Sequence, residues 1–254
     1  MNEIRHGDCL ELMKELPDKS VDMILCDLPY GTTKNKWDAI IPFDKLWKQY
    51  NRVIKNDGAI VLFSTGLFTH QLVISNLKGY KYDIVWHKSK SGSSFTAKYR
   101  PVNKHEIINI FSVAGKKVKY NPQLVKGEPY SRVRTPTSNK PNNHKLGVTS
   151  KSETINTGFR YPSTVQYFQQ KWRRQDQIHP TQKPVALFEY LIKTYTNEGD
   201  LVLDNCAGSG TTNIACHNTN RQCIGMEKDE NYFKIATKRL ENCKKQEVLE
   251  GNKR

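Results

Sequence analysis

The residues with the clearest chemical use lie in two short stretches. The first is Asp27-Leu28-Pro29-Tyr30-Gly31, which follows the apolar run Val21–Cys26. That run reads as a buried strand, and the end of a parallel strand is where α/β ligand sites form. Pro29 fixes its own φ and biases Leu28 away from helix, so the loop is preset. Asp27 offers a carboxylate, Leu28 a backbone carbonyl and Tyr30 a flat ring. This set suits one task. An aromatic amino group is a poor nucleophile, because its lone pair is delocalised into the ring. Two acceptors holding its two N–H bonds localise that pair, and a stacked ring steadies the base. Stacking needs the Tyr30 ring and not its hydroxyl, so Tyr30→Phe is expected to be mild. A base handled in this way must leave the duplex. Alone, Asp-x-Pro-Tyr would be read as an ordinary turn.

The second stretch is Asn205-Cys-Ala-Gly-Ser-Gly-Thr-Thr212, preceded by the short strand Leu201–Asp204 and followed by a helical pattern. Gly208 and Gly210 let the backbone turn tightly beneath a ligand and keep the helix N-terminus open to it. Twenty-three residues after Asp204 a further strand ends in Glu227, whose carboxylate can accept from both hydroxyls of a ribose. Two rival readings fail on the letters. No Lys follows Gly210, as a Walker loop requires, and Asn213 stands where the dinucleotide fingerprint needs a third Gly or Ala. A nucleoside without a pyrophosphate fits better, and S-adenosylmethionine is such a ligand.

The elements that must position these stretches form an alternating series. Strand-like runs fall at Val21–Cys26, Ala59–Ser64, Tyr82–His87, Ile107–Ser112, Leu201–Asp204 and Gln222–Glu227, with a short one near Glu3–Arg5. Helical patterns lie between many of them, at Cys9–Leu16, Phe43–Ile54, Leu67–Leu77, Pro184–Tyr195, Thr211–Asn218 and Glu230–Cys243. Alternation of this kind predicts a doubly wound, Rossmann-like α/β sheet of seven strands. No helix separates Tyr82–His87 from Ile107–Ser112, so that pair is expected to be antiparallel.

Residues 114–177 break the rhythm, being rich in Lys, Asn, Ser, Thr and Pro. They read as an irregular insertion or a small module. The net charge of +15 suggests a polyanionic partner, nucleic acid first. From Phe111 to Ile178 thirteen Lys and Arg face three acids, so ten of the fifteen charges fall in one segment. That concentration favours a binding surface over general solubility. Six cysteines, none in a C-x-x-C pair, argue against a zinc knuckle, and no metal is expected. No apolar run reaches membrane-spanning length and Met1–Leu10 has no signal-peptide core, which places the chain in the cytoplasm with free thiols.

Together the two motifs resemble those of the amino-group DNA methyltransferases, which carry Asp-Pro-Pro-Tyr and a glycine-rich cofactor turn. The catalytic loop comes first and the cofactor turn last, with a basic insertion between, which is similar to the β arrangement and implies a circularly permuted motif order. Gly7-Asp8-Cys9 looks like the short acidic motif that touches the cofactor adenine. Ile84-Val-Trp-His-Lys88 with His105-Glu106 resembles the region after the catalytic half. His179-Pro-Thr-Gln-Lys-Pro184 looks like the motif whose polar groups approach the methionine moiety, and Glu227, Tyr232 and Ala236 match the end of the pattern.

The resemblance implies a catalytic half at 1–113, a target-recognition insertion at 114–177, and a cofactor half with a charged tail at 178–254. It implies Asp27, Leu28, Pro29 and Tyr30 as the catalytic loop. The cofactor residues it implies are Asp8, Cys9, Asp27, Lys183, Asp204, Asn205, Ala207, Gly208, Gly210, Thr211, Thr212 and Glu227. Arg132, Arg134, Arg160, Arg173 and Arg174 are the candidates for contact with double-stranded DNA, and a homodimer and a cognate restriction endonuclease are further partners it leaves room for.

Leu28 replaces the usual first proline, though its carbonyl survives. Asn205-Cys206 stands where Pro-Phe is common. Asp27, where cytosine amino enzymes more often have Ser, favours the N6 amino group of adenine over N4 of cytosine. Methylation at a ring carbon of cytosine uses a Cys that follows Pro, and none of the eleven prolines here precedes Cys. The basic insertion argues against a protein amide as acceptor. The intact loop and turn argue against an inactive DNA-binding module.

Overall fold

A computed structural model describes residues 1–33, 38–92, 96–134, 152–169 and 182–251. The strands are β1 (Asn2–His6), β2 (Val21–Cys26), β3 (Ile54–Ser64), β4 (Tyr80–Gly92), β5 (Asn103–Phe111), β6 (Val125–Lys126), β7 (Tyr130–Arg134), β8 (Ser152–Asn156), β9 (Phe159–Arg160), β10 (Val165–Phe168), β11 (Leu201–Asp204) and β12 (Gln222–Glu227). The helices are α1 (Cys9–Lys14), α2 (Phe43–Val53), α3 (Gly66–Ser75), α4 (Val185–Tyr195), α5 (Thr211–Asn218) and α6 (Glu230–Gly251).

Eight strands form one mostly parallel sheet in the order β1-β12-β11-β2-β3-β5-β4-β10. This corrects the expected count of seven. The added strand, β10, comes from the polar segment read as an insertion, and it pairs parallel with β4, Val165 opposite Val85. Its alternation of exposed and half-buried positions on a sheet edge leaves little hydrophobic signal to read. The expected antiparallel pair is present, with Ile84 opposite Ile108 and His87 opposite His105.

Burial explains why the central strands read clearly. Every residue of β2 is buried, because helices cover both faces. Ile24 and Cys26 pack with Met13 of α1, Leu46 and Tyr50 of α2 and Leu72 of α3. Met23 and Leu25 pack with Leu187 and Leu191 of α4 and Ala215 of α5. Side chains alternate across a strand, so one six-residue run, apolar but for Asp22, supplies both layers. In α2, Leu46, Trp47, Tyr50 and Val53 recur at helical spacing and are its buried face.

The parallel register Val202↔Met23 and Leu203↔Ile24 sets β11 directly beside β2. Two loops far apart in the chain therefore leave the same edge of the sheet on neighbouring strands. β12 flanks β11 on the other side, Leu203 opposite Ile224. The chain divides into two compact units, residues 1–121 with 164–254, and residues 122–163. The second unit is narrower than the segment 114–177 expected from composition. It holds two short antiparallel pairs, β6 with β9 and β7 with β8.

Candidate active site

The ends of β2, β11 and β12, with the start of α1, surround a cavity of about 840 Å³. Its wall includes Asp8, Cys9, Asp27, Leu28, Pro29, Tyr30, Lys183, Asp204, Asn205, Ala207, Gly208, Thr211, Thr212 and Glu227. All the expected catalytic and cofactor positions thus come together, Gly210 excepted. Gly210 stands behind the turn at φ +76°, where an added Cβ would lie 3.1 Å from the Cβ of Ala236. Its part is to let the backbone enter α5 while α6 packs closely.

In the turn, Gly208 has φ +52° and donates its N–H to Glu227 Oε2 at 2.7 Å. The other oxygen, Oε1, accepts the Asp229 N–H at 2.8 Å. Burial raises the Glu227 pKa even so. Asp204 is buried more deeply. It accepts the Cys206 N–H at 3.1 Å and the Thr212 hydroxyl, yet burial pushes its carboxyl up to about 6. Asp8 caps α1 by accepting the Leu10 N–H and pairs with Lys228 at 3.1 Å. Burial acts upward on its pKa too, but those partners prevail and hold it below the usual carboxylate value. Asn205 and Cys206 replace the usual Pro-Phe without disorder of the turn, since Asn205 accepts the Tyr50 hydroxyl at 2.5 Å.

The loop that begins at Asp27 shows three features that the sequence did not reveal. The Tyr30 hydroxyl donates to Asp27 Oδ1 at 2.6 Å, a contact that the reading of Tyr30 as a stacking ring did not include. Asp38 accepts four successive backbone N–H groups. Oδ1 takes those of Tyr30 and Gly31 at 2.8 and 2.9 Å, and Oδ2 takes those of Thr32 and Thr33 at 2.9 and 2.6 Å. Burial raises the Asp38 pKa, but the hydrogen bonds from Thr33, Gly31 and Thr32 outweigh it, and the carboxyl stays below its ordinary value. Finally, Lys183 Nζ lies 2.5 Å from Asp27 Oδ2 and 3.1 Å from Glu106 Oε2, and Lys88 pairs with Glu106 Oε1 at 3.1 Å. An acid a few residues beyond a preset loop was the available signal for Asp38. Glu106 and Lys88 reach the site only through strand pairing. Behind the turn, Arg239 of α6 donates to the Ser209 carbonyl at 3.0 Å.

Leu28 has its side chain in the core at 4% exposure. His105 is exposed, its backbone N–H on Asn103, and it does not line the cavity. In the second unit Arg132 lies exposed on β7 and Arg134 ends that strand. Arg160 sits 5.7 Å over the Tyr130 ring. Arg173, Arg174 and His179 lie outside the described residues.

Strand-end carboxylates, a glycine turn into a helix and a preset acidic loop on one cavity define an α/β site for a nucleoside cofactor and a second, planar substrate. A family described as DNA methylase matches residues 21–238, and the chain belongs to that family. Among curated relatives, it is 29% identical to the type II methyltransferase M.HpaI of Haemophilus parainfluenzae over 93% of this chain and 73% of that one. It is 28% identical to the DNA adenine methyltransferase YhdJ of Escherichia coli, over 94% and 82%. The crystal structure of the M1.HpyAVI–SAM complex superposes with a TM-score of 0.64 at 28% identity, covering 94% of this chain and 99% of the other.

Proposed function

We propose that this DNA methyltransferase moves a methyl group from S-adenosylmethionine to the exocyclic N6 amino group of adenine in double-stranded DNA, after flipping the base. The observation that carries the reading is the shared cavity: the Asp27 loop and the Asp204–Glu227 turn face the same space from adjacent strands. The cavity suits a cationic nucleoside. Asp204 is a buried carboxyl without a paired cation among the described residues, and its raised pKa marks a place where a positive ligand would be stabilised. Glu227, Asp8 and the N–H groups of the turn are the groups that would hold the adenosine end.

Bound there, S-adenosylmethionine supplies an electrophilic methyl group. The chain's own residues prepare the nucleophile. Asp27 and the Leu28 carbonyl accept the two N–H bonds of the amino group, and Tyr30 stacks on the base. The order of the motifs is that of a permuted member of the family. Adenine is preferred because Asp27 takes the position where cytosine enzymes more often have Ser. The second unit carries target recognition through Arg132, Arg134 and Arg160, with Arg173 and Arg174 beyond it.

The direct test is single-turnover transfer of labelled methyl to duplex DNA, followed by nucleoside analysis. N6-methyladenine is the expected product. Asp27→Ala should abolish transfer and leave cofactor and DNA binding largely intact, since the lost contact mainly serves the transition state. Near-normal turnover by that variant would sink the mechanism, and a product on cytosine would correct the base alone.

A further inference from the structure

Lys183 was expected among the cofactor residues, yet its ammonium is committed elsewhere. Its side chain is 7% exposed and sits between two carboxylates, Asp27 of the catalytic loop and Glu106 of β5. One N–H donor goes to Asp27 Oδ2, Glu106 Oε2 is held as an ion pair, and the ammonium also lies 5.2 Å from the Phe63 ring centroid. Glu106 in turn is held by Lys88 of β4, with the side chains of Glu106 and Lys88 14% and 12% exposed. The result is an alternating row, Asp27, Lys183, Glu106 and Lys88, with two charges of each sign. A buried ion pair costs more than it returns unless its geometry and partners are complete, so a row like this is kept for a reason other than stability.

We propose that Lys183 is a positioning residue for methyl transfer, acting through Asp27 rather than on the cofactor, with Glu106 as its far anchor. This rests on the reading of Asp27 as acceptor for the target amino group. A carboxylate on a loop can rotate about two bonds. Lys183 pins Oδ2 and leaves Oδ1 as the oxygen that meets the substrate, where the Tyr30 hydroxyl now donates. Pinning one oxygen fixes the plane of the carboxylate, and so the direction of the lone pair offered to the amino group. Misplacement of such a group by a fraction of an ångström lowers rate rather than binding. Glu106 supplies the second fixed point, without which a four-carbon side chain would follow Asp27 instead of holding it. Without Lys183, two partly buried carboxylates would face each other with Lys88 as the remaining cation of the row.

The test separates charge and position from cofactor binding. Lys183→Met should lower the single-turnover rate by about a hundredfold or more. Its Kd for S-adenosylmethionine, read by calorimetry, should change by less than about threefold. Adding Glu106→Gln to Lys183→Met should lower the rate little further, by less than about threefold, because both residues act through the one contact to Asp27. Glu106→Gln alone keeps the Lys183–Asp27 pair and loses the far anchor. It should lose rate without losing cofactor affinity, and it serves if Lys183→Met does not fold. Cofactor affinity falling in step with rate in either single variant would make Lys183 a cofactor ligand and overturn the proposal. A double variant whose loss is the product of the two single losses would do the same. If the wild-type protein methylates DNA and Asp27→Ala does not, failure of these variants to behave as stated strikes this inference alone. A wild-type protein that transfers no methyl removes the reading beneath it.

Discussion

Asp38 belongs to no motif, yet its carboxylate gathers the N–H groups of residues 30 to 33. Four donors in a row cannot be satisfied by one another, and water at a cavity wall would leave them free to reorient. An ionised carboxylate satisfies all four and fixes the loop that carries Tyr30. Asp38→Ala should therefore reduce the methyl-transfer rate by about tenfold to a hundredfold, the worth of one or two lost charged hydrogen bonds. The cofactor Kd should barely move, which calorimetry would check. Tyr30→Phe belongs to the same scale. Its ring keeps the stacking, but the hydroxyl no longer orders Asp27 Oδ1. A loss of roughly threefold to tenfold in single-turnover rate is expected, the value of one modest hydrogen bond. A rate equal to wild type would show that the hydroxyl contact in the free protein has no bearing on catalysis.

At the scale of elements, the end of β11 sets the electrostatics of the cavity. Asp204 is fully covered by its neighbours, so its carboxyl keeps a proton up to about pH 6 in the absence of ligand. The sign follows from which form binds. A sulfonium cation is stabilised by the carboxylate and not by the neutral acid, so binding must drive the proton off below that pH. Affinity for S-adenosylmethionine should rise as pH increases from about 5 to 7 and level off above, by up to about tenfold per unit on the rising part. Burial of Glu227 pushes in the same direction. In Asp204→Asn the rise should flatten, and calorimetric Kd values at several pH values would show it. A wild-type affinity independent of pH over that range would remove Asp204 from contact with the ligand's charge.

On the scale of the whole molecule, the chain divides into the sheet unit and a second compact unit. Residues 122–163 carry their own strand pairs, and the sheet unit resumes at Thr164 with β10 seated on β4. The second unit presents exposed Tyr130, Phe159 and Tyr161 beside Arg132 and Arg160, a mixture of rings and cations that suits nucleic acid. Replacing residues 122–163 by a short glycine-serine linker should leave the fold and cofactor binding in place and remove sequence-specific DNA binding. Binding of the intact protein should weaken steeply with salt through counterion release, and the linker protein should show a smaller slope. Mobility-shift titrations at several salt concentrations would decide it, and retained specificity would place recognition elsewhere.

Most of what the sequence determined by itself was local. The central strands were legible because burial on both faces demands mostly apolar runs, as in β2 and the strand before the glycine turn. The loop and the turn were legible because Pro29, Gly208 and Gly210 act on backbone angles, which neighbours in sequence control. The edge strand β10 was not, since an edge strand half open to solvent needs no apolar run. Nor were the partners of the catalytic loop. Asp27 meets Lys183 from the far end of the chain and, through it, Glu106 on β5. Only the parallel pairing of β2 with β11, and the antiparallel pairing of β4 with β5 beyond them, brings those charges into one row. Long-range ion pairs leave no period or spacing in a sequence, because the distance that matters to them is measured in space.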